Sequence, residues 1–421
     1  MTNIDRLRPF ARLHVTLAML VAATSLAAAD WPQYLGPERN GIYPGVITRT
    51  FPPKGPRVVW QRPVGSGFAG PAVAGNRVLL FHRVANEEVL EALDTTTGRT
   101  VWRYAYPTSY QDDFGFDEGP RAVPVVAGGI VYTFGAEGQL HAVDLAKGTR
   151  VWSEDTMRRF EVPKGYFGAA GSPLVEDGRV IANIGGAKAG LAAFEAKTGK
   201  LLWTATQDGA SYSSGISATI DGRRAALFLT REGLVGVDPA TGRVQFQQRW
   251  RSRSAASVNA ATPVVSGNRI FVSAEYGPGA GVLEVKGSTL TPLWTSDDVL
   301  STHYATAILY QGTLYGFHGR QELGPALRAV DFASGKVLWS EEQFRGGTVL
   351  LAGDTLVILR ESGELVIAPA SRQGFKPTAR ARILPEVARP YPALADGFLY
   401  ARNELDQRTG KNVLVCVDLR P

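Results

Sequence analysis

The chain has 421 residues, 20% of them charged, with 45 Lys and Arg against 39 Asp and Glu and a formal net charge of +6. So small an excess gives no case for nucleic acid as a partner, and one cysteine excludes an internal disulfide framework. With 47 Gly, 25 Pro and no sustained helical period beyond the first thirty or so residues, the composition points to a turn-dense all-β protein.

In chain order, Arg6, Arg8 and Arg12 form a basic start, Val15 to Leu26 an apolar run, and Ala27 to Ala29 a small-residue cleavage site. Residues 1–29 therefore read as a signal peptide cleaved near Ala29, the apolar run being too short for a comfortable membrane span. The expectation is an exported chain, periplasmic or secreted, soluble and without an integral membrane segment. No cysteine stands at the cleavage site to carry a lipid. Cleavage removes three Arg and one Asp and leaves a net charge of +4. Residues 30–57 follow as a lead segment, and 58–421 as one repeat domain.

The repeat is the phrase Ala-x-Asp-x-x-Thr-Gly-x-x-x-Trp. Its clear copies are Ala92, Asp94, Gly98, Trp102; then Ala142, Asp144, Gly148, Trp152; then Ala193, Glu195, Gly199, Trp203. Asp238, Gly242, Phe246 and Ala329, Asp331, Gly335, Trp339 continue the series, while Lys286 and Trp294 keep only the spacing. Around Pro369 the signature is lost. The Asp-to-Gly stretch is turn chemistry, since an Asx side chain bonds nearby backbone and glycine takes a positive φ. Short apolar runs flank it, and a second strand-turn-strand phrase opens each unit at Pro71, Pro124 and Pro263. Four short strands every forty to fifty residues or so are the signature of propeller blades. The last copy, Cys416-Val417-Asp418, lacks its aromatic, whereas Trp60 lacks an upstream acid. That complementarity predicts an eight-bladed β-propeller of four-stranded antiparallel blades, closed by pairing of the N- and C-terminal segments. Such a ring has no need to oligomerise, so a monomer is expected.

This phrase resembles the tryptophan-docking motif of the pyrroloquinoline quinone (PQQ) repeat superfamily, and the segment Trp31 to Gly41 resembles the leader of exported PQQ-like propellers. The resemblance implies that Trp60, Trp102, Trp152, Trp203, Trp294 and Trp339 each dock on the neighbouring blade. It also implies one of two function classes: non-catalytic scaffolds of the BamB type, or quinoprotein dehydrogenases that hold PQQ and calcium and oxidise alcohols or sugars. The dehydrogenases of the family usually carry a disulfide of adjacent cysteines over the cofactor, and this chain has one cysteine in all. The expectation is a scaffold binding a protein partner or a small polar or anionic ligand, with no cofactor and no catalytic residue. A PQQ- and calcium-dependent alcohol or sugar dehydrogenase is the alternative.

Aligning the blades on their opening phrases places Ser214, Asn259, His303 and Arg345 four residues ahead of the inner strands, and Phe68, Arg121, Tyr304 and Arg389 three ahead. Positions just before inner strands line a propeller's channel mouth. Arg121, Asn259, His303, Tyr304 and Arg345 are thus the candidate ligand-binding set. His303, with an ordinary pKa near 6.5, has no neighbouring acid in sequence to orient it as a base, and the histidines show no metal-ligand spacing. Two inter-blade loops stand out. Tyr110 to Gly119 mixes acids and aromatics without the spacing of a helical calcium loop. Arg249-Trp250-Arg251 carries a tryptophan outside the docking frame, a candidate partner anchor. Cys416, in an alternating apolar stretch, reads as a small core residue on a strand of the last blade.

Overall fold

The structure is a computed structural model that describes residues 30–252, 254, 259–404 and 412–421; the signal-peptide assignment lies outside the described residues. Eight sheets, each with four strands of one blade, follow one another round a ring. The blades span residues 72–107, 125–155, 174–205, 216–249, 264–296, 308–341 and 347–382, and the eighth combines 393–418 with Arg57–Pro63. Helix among the described residues is confined to Thr156–Phe160 and the 3-10 turn Gln321–Leu323. No helix is long and apolar enough to cross a membrane, again among the described residues.

The first blade shows why this sequence makes this unit. Its inner strand Ala72–Ala74 turns at Gly75 into Arg77–Val84, then come Glu87–Asp94 and the outer strand Thr100–Pro107. The two middle strands bury Val78 to Phe81 and Val89 to Leu93 on both faces, because a neighbouring blade covers each face. Hence they read as continuous apolar runs rather than alternating ones. At the turn, Asp94 Oδ1 accepts from the amides of Thr96 (3.1 Å) and Thr97 (2.9 Å), and Gly98, at φ +65°, returns its N–H to the Asp94 carbonyl.

The docking residue then leaves its own blade by a device the periodicity did not reveal. The ladder slips by one residue just before each aromatic, between Ala92 and Leu93 opposite Trp102, and likewise beside Trp152, Trp203, Phe246, Trp294, Trp339 and Trp60. Such a bulge leaves one residue unpaired and turns the next. The unpaired residues include Val101, Val151, Leu202 and Leu293, which stand exposed on the rim. In the seventh blade Ala379 occupies the aromatic's place, opposite Ile367, and the register runs unbroken.

Trp60, Trp102, Trp152, Trp203 and Trp294 each lie on the next blade's turn glycine, whereas Trp339 meets Phe375 of the seventh blade, ring centres 5.7 Å apart. A Cβ on Gly148 would come within 2.6 Å of the Trp102 ring, and one on Gly199 within 2.8 Å of Trp152. The six indole nitrogens donate to the turn carbonyls of Thr95, Leu145, Ala196, Pro239, Phe332 and Ser371, at 2.7–3.1 Å. The ring closes as the two ends suggested. Arg57–Pro63 pairs antiparallel with Val413–Asp418, and Trp60 sits opposite Cys416 as Trp102 sits opposite Ala92. Burial pushes the Cys416 thiol up to about 12, which keeps it protonated and inert.

Between the fourth and fifth blades the seam is fastened differently, and the expectation for Trp250 is corrected. Phe246 packs on Gly236 of its own blade, and nothing lies over Gly287. Trp250, four residues on, is only 7% exposed and reaches across instead, its ring against Gly281 and its indole N–H 3.2 Å from the Gly279 carbonyl. A side chain so enclosed is a seam element, not a surface anchor.

The lead segment plugs the ring. Trp31 exchanges backbone hydrogen bonds with Val73, and the Pro32 carbonyl accepts from Val126. Arg39 donates to the Pro173 and Gly215 carbonyls at the start of blades three and four, and Ile42–Tyr43 adds a parallel strand inside blade seven. Residues 31–43 therefore touch most of the ring and turn the channel into a blind funnel.

Candidate functional site

The funnel ends in a cavity of about 260 Å³ floored by Tyr34 of the plug. Tyr34 is held by its hydroxyl 3.3 Å from Thr306 Oγ1 and by an edge contact with Tyr391, ring centres 5.0 Å apart. One wall is aromatic, from Phe68, Phe116, Phe167 and Tyr212; the other is polar, from His303, Tyr304, Gln321 and Arg389. All of these except Gln321 stand in the connections that lead from an outer strand to the next inner strand, so they share one face of the disc. Gln321 is on the 3-10 turn inserted into the sixth blade.

Of the five candidates from the column alignment, Arg121, His303 and Tyr304 line this cavity. Asn259 does not: its amide nitrogen is tied to the Thr230 and Trp250 carbonyls at 2.7 and 2.9 Å, behind the wall. Arg345 is exposed and lines a neighbouring depression of about 600 Å³ with Glu322 and Glu386. Equal offsets in sequence do not give equal depth, because the preceding connections differ in length. Phe167, Tyr212, Gln321 and Glu361 were outside the candidate set. The only sequence signal for the first two is an aromatic in an inter-blade loop.

The electrostatics of the site are those of closed pairs. Arg121 binds Asp112 at 2.5 Å, with its guanidinium over Phe68 at 5.0 Å and Phe167 at 5.5 Å. Arg389 binds Glu404 at 2.8 Å and Glu361 at 3.3 Å. Glu361 also accepts from the Tyr304 hydroxyl and from Gln321 Nε2 at 3.0 Å. Burial, and then the Glu361 charge, push the Tyr304 phenol well above its usual range. His303 Nδ1 accepts from the Gln321 backbone amide at 3.3 Å, which leaves its proton on Nε2, 3.4 Å from the Tyr276 hydroxyl. Burial lowers its pKa, so it is neutral at pH 7 with its lone pair already used. Glu322 lies 3.8 Å from the same nitrogen. Neither group is set up to take a proton from a substrate.

Glu404 is the strained member. It is 5% exposed, and burial lifts its carboxyl to about 8 although Arg389 pulls the other way; Asp117 and Glu361 add to the rise, and Arg121 opposes it. A carboxyl raised in the folded state keeps a proton that the unfolded chain has released, so folding stability falls as pH rises from the ordinary carboxylate range through about 8. Glu404→Gln should remove this slope. Scanning fluorimetry should find the wild-type melting temperature falling by roughly 3 °C more than the variant's between pH 5 and 8. Parallel curves would mean Glu404 is ionised throughout.

The resemblance implied PQQ and calcium as the alternative, and the residues present do not fit that pair. Calcium needs six to eight oxygens, several of them free carboxylates. Here Asp112 is held by Arg121, Asp117 accepts from the amides of Gly67 (3.0 Å) and Gly119 (2.7 Å), and Glu361 and Glu404 are held by Arg389. Among the described residues no group of three or more His, Cys, Asp or Glu is placed to hold a metal ion. The loop acids Asp113 and Glu118 are likewise paired, with Lys164 and Arg83. A larger depression of about 720 Å³ at the seam of blades one and two is lined by Tyr106, His141 and Arg150. There Tyr106 donates to Glu88 at 2.5 Å, and His141 bonds Tyr104 at 2.7 Å through Nδ1.

Comparison with known proteins bears on this geometry. A PQQ-repeat family model, described as outer membrane protein assembly factor BamB, matches residues 52–158 and 85–341. The quinohemoprotein alcohol dehydrogenase ADH-IIG of Pseudomonas putida is 37% identical over 122 residues, 27% of this chain and 16% of that protein. A quinohemoprotein alcohol dehydrogenase of Comamonas testosteroni is 35% identical over 127 residues, 28% of this chain and 17% of that protein. The matched segments thus span less than a fifth of either relative. Among solved structures, the Comamonas testosteroni enzyme superposes with a TM-score of 0.65 at 17% identity, covering 93% of this chain and 81% of that one. BamB from Moraxella catarrhalis superposes with a TM-score of 0.60 at 16% identity, covering 86% and 99%. At such identities the structural likeness speaks to the fold alone.

Proposed function

The chain belongs to the family of PQQ-repeat β-propellers described as outer membrane protein assembly factor BamB, and from that membership we propose that it is an exported, non-catalytic binding propeller. Its working surface is the funnel face, where it holds a protein partner or a small polar ligand. One observation carries this reading: among the described residues, Asp112, Asp117, Glu361 and Glu404 at the funnel are each held by a guanidinium, a phenol or backbone amides. A hydrolytic, redox or proton-transfer site needs at least one carboxylate or imidazole free to act. Here these four carboxylates are each tied to another protein group, as in a surface built to be rigid.

The dehydrogenase reading is favoured by the relatives whose names carry that activity. The two part on a direct measurement. Purified chain without residues 1–29 is titrated with PQQ, with and without Ca²⁺, following cofactor absorbance and heat. The expected result is no saturable calcium-dependent uptake up to high micromolar cofactor. Stoichiometric uptake that requires Ca²⁺ would replace the scaffold with an oxidoreductase.

A further inference from the structure

The funnel cavity is unusual in what it can take. At about 260 Å³ it lies below the roughly 300–1,000 Å³ of pockets that enclose drug-sized ligands. It therefore accepts a single ring system. One wall is the face of Phe167 and Tyr212, whose rings meet edge-on at 5.3 Å, with Phe68 beside them. The opposite wall offers polar edges from Gln321, His303 and Tyr304.

Charge decides which ring. Arg121 is neutralised by Asp112 and Arg389 by Glu361, and Glu404 takes a further Arg389 N–H. A carboxylate or phosphate entering the cavity meets no uncompensated cation and would lose its hydration for nothing. The occupant is an uncharged aromatic with one polar edge, a phenol or an indole.

The rim decides its source. Phe114 and Phe116 are 50% and 49% exposed and Tyr166 is 37% exposed, the exposed aromatics among the described residues. They form one strip with the cavity wall, Phe114 lying 5.2 Å from Phe167 and 5.8 Å from Tyr166 between ring centres. A contiguous apolar strip open to water marks an interaction site. A free ring filling the cavity would leave this strip wet, whereas a polypeptide with one aromatic side chain inserted would cover both. This is the geometry of an anchor residue within a water-excluding surround.

We propose that the funnel mouth docks a segment of a protein partner by inserting one tyrosine or tryptophan side chain against Phe167 and Tyr212, with the flanking backbone laid over Phe114, Phe116 and Tyr166. This rests on the scaffold reading above and names its partner's chemistry.

The test uses the chain without residues 1–29 and three probes: the blocked peptide Gly-Ser-Trp-Ser-Gly, its Leu counterpart, and N-acetyltryptophanamide. Binding is followed by saturation-transfer NMR and by anisotropy of labelled peptides. The Trp peptide should bind at least about tenfold more tightly than the Leu peptide, and Phe167→Leu should cost about tenfold. Phe114→Ser and Phe116→Ser, both on exposed rings and expected to fold, should weaken the peptide while Phe114→Ser spares the amide. Equal binding of Trp and Leu peptides, or binding of neither, overturns the proposal. An amide that binds as tightly as the peptide, with Phe114→Ser silent, overturns the protein source in favour of a free aromatic ligand. The cofactor titration reports separately on the scaffold reading, so the two can fail independently.

Discussion

Trp152→Ala is expected to destabilise the ring by about 3–5 kcal/mol, the range for deleting a buried aromatic. Trp152 is the most enclosed of the six docking tryptophans, 8% exposed. Its indole packs on Gly199 and stands 6.1 Å from the Tyr132 ring and 6.5 Å from Phe194. The alanine would leave a void at a seam whose walls are strands held in two blades, which cannot close on it without breaking their ladders. The indole N–H contributes less: its hydrogen bond to the Ala196 carbonyl is shared with the Tyr132 hydroxyl, at 2.8 and 3.0 Å. Trp152→Phe should therefore recover most of the loss, remaining down by about 1 kcal/mol for the hydrogen bond with a little for the smaller ring. Equilibrium urea unfolding of the three proteins measures both differences. A Trp152→Ala protein as stable as the wild type would show that the blades are held by their strands alone and that the repeat's tryptophan is dispensable.

The same seam explains how much of the molecule could be read beforehand. The docking phrase recurs because most seams use one turn acid, one glycine and one ring at fixed spacing, so blade count, strand number and the Trp60–Cys416 closure were all legible. The bulge beside each ring was not, since it adds no residue type of its own, only an aliphatic such as Val151 that looks like any strand residue. Trp250 misled because it falls outside the frame. It is nonetheless a docking ring, needed where Phe246 stays within its own blade. At the funnel, the column offset found Arg121, His303 and Tyr304 because they lie directly before inner strands. Phe167 and Tyr212 both stand further ahead of their inner strands than the two columns read for candidates, inside the inter-blade connections. Tyr34 and Arg39 were hidden more deeply. Residues 31–43 have no repeat, and what they touch lies as far off in sequence as Val73, Leu351 and Tyr391, so only the folded ring shows that they plug it.

Arg39 carries the second large expected effect, and the reason is that its charge has no acid to answer it. Its guanidinium is 3% exposed and donates to Gln33 Oε1 at 2.9 Å, to the Gly215 carbonyl at 2.8 Å and to the Pro173 carbonyl. Burial draws its pKa down to about 9, which still leaves it charged at neutral pH. Two opposing terms meet here. Burying an unpaired cation costs several kcal/mol, and an apolar replacement would regain that. Against this, Arg39→Met strips the donors from two backbone carbonyls at the start of blades three and four, and bare buried acceptors cost about 1–3 kcal/mol each. The carbonyls are fixed in the blade backbone and cannot turn to water behind the plug, so their loss should win, leaving a net destabilisation of about 1–2 kcal/mol. Arg39→Lys should recover less than half, because a single ammonium cannot reproduce the planar fork that spans two blades. Urea unfolding gives the energies, and hydrogen exchange at the amides of residues 31–43 shows whether the plug has loosened before the ring does. A methionine variant more stable than the wild type would reverse the sign of the argument: the cation would then be a burden the fold tolerates, and Trp31 and Leu35 alone would hold the plug in place.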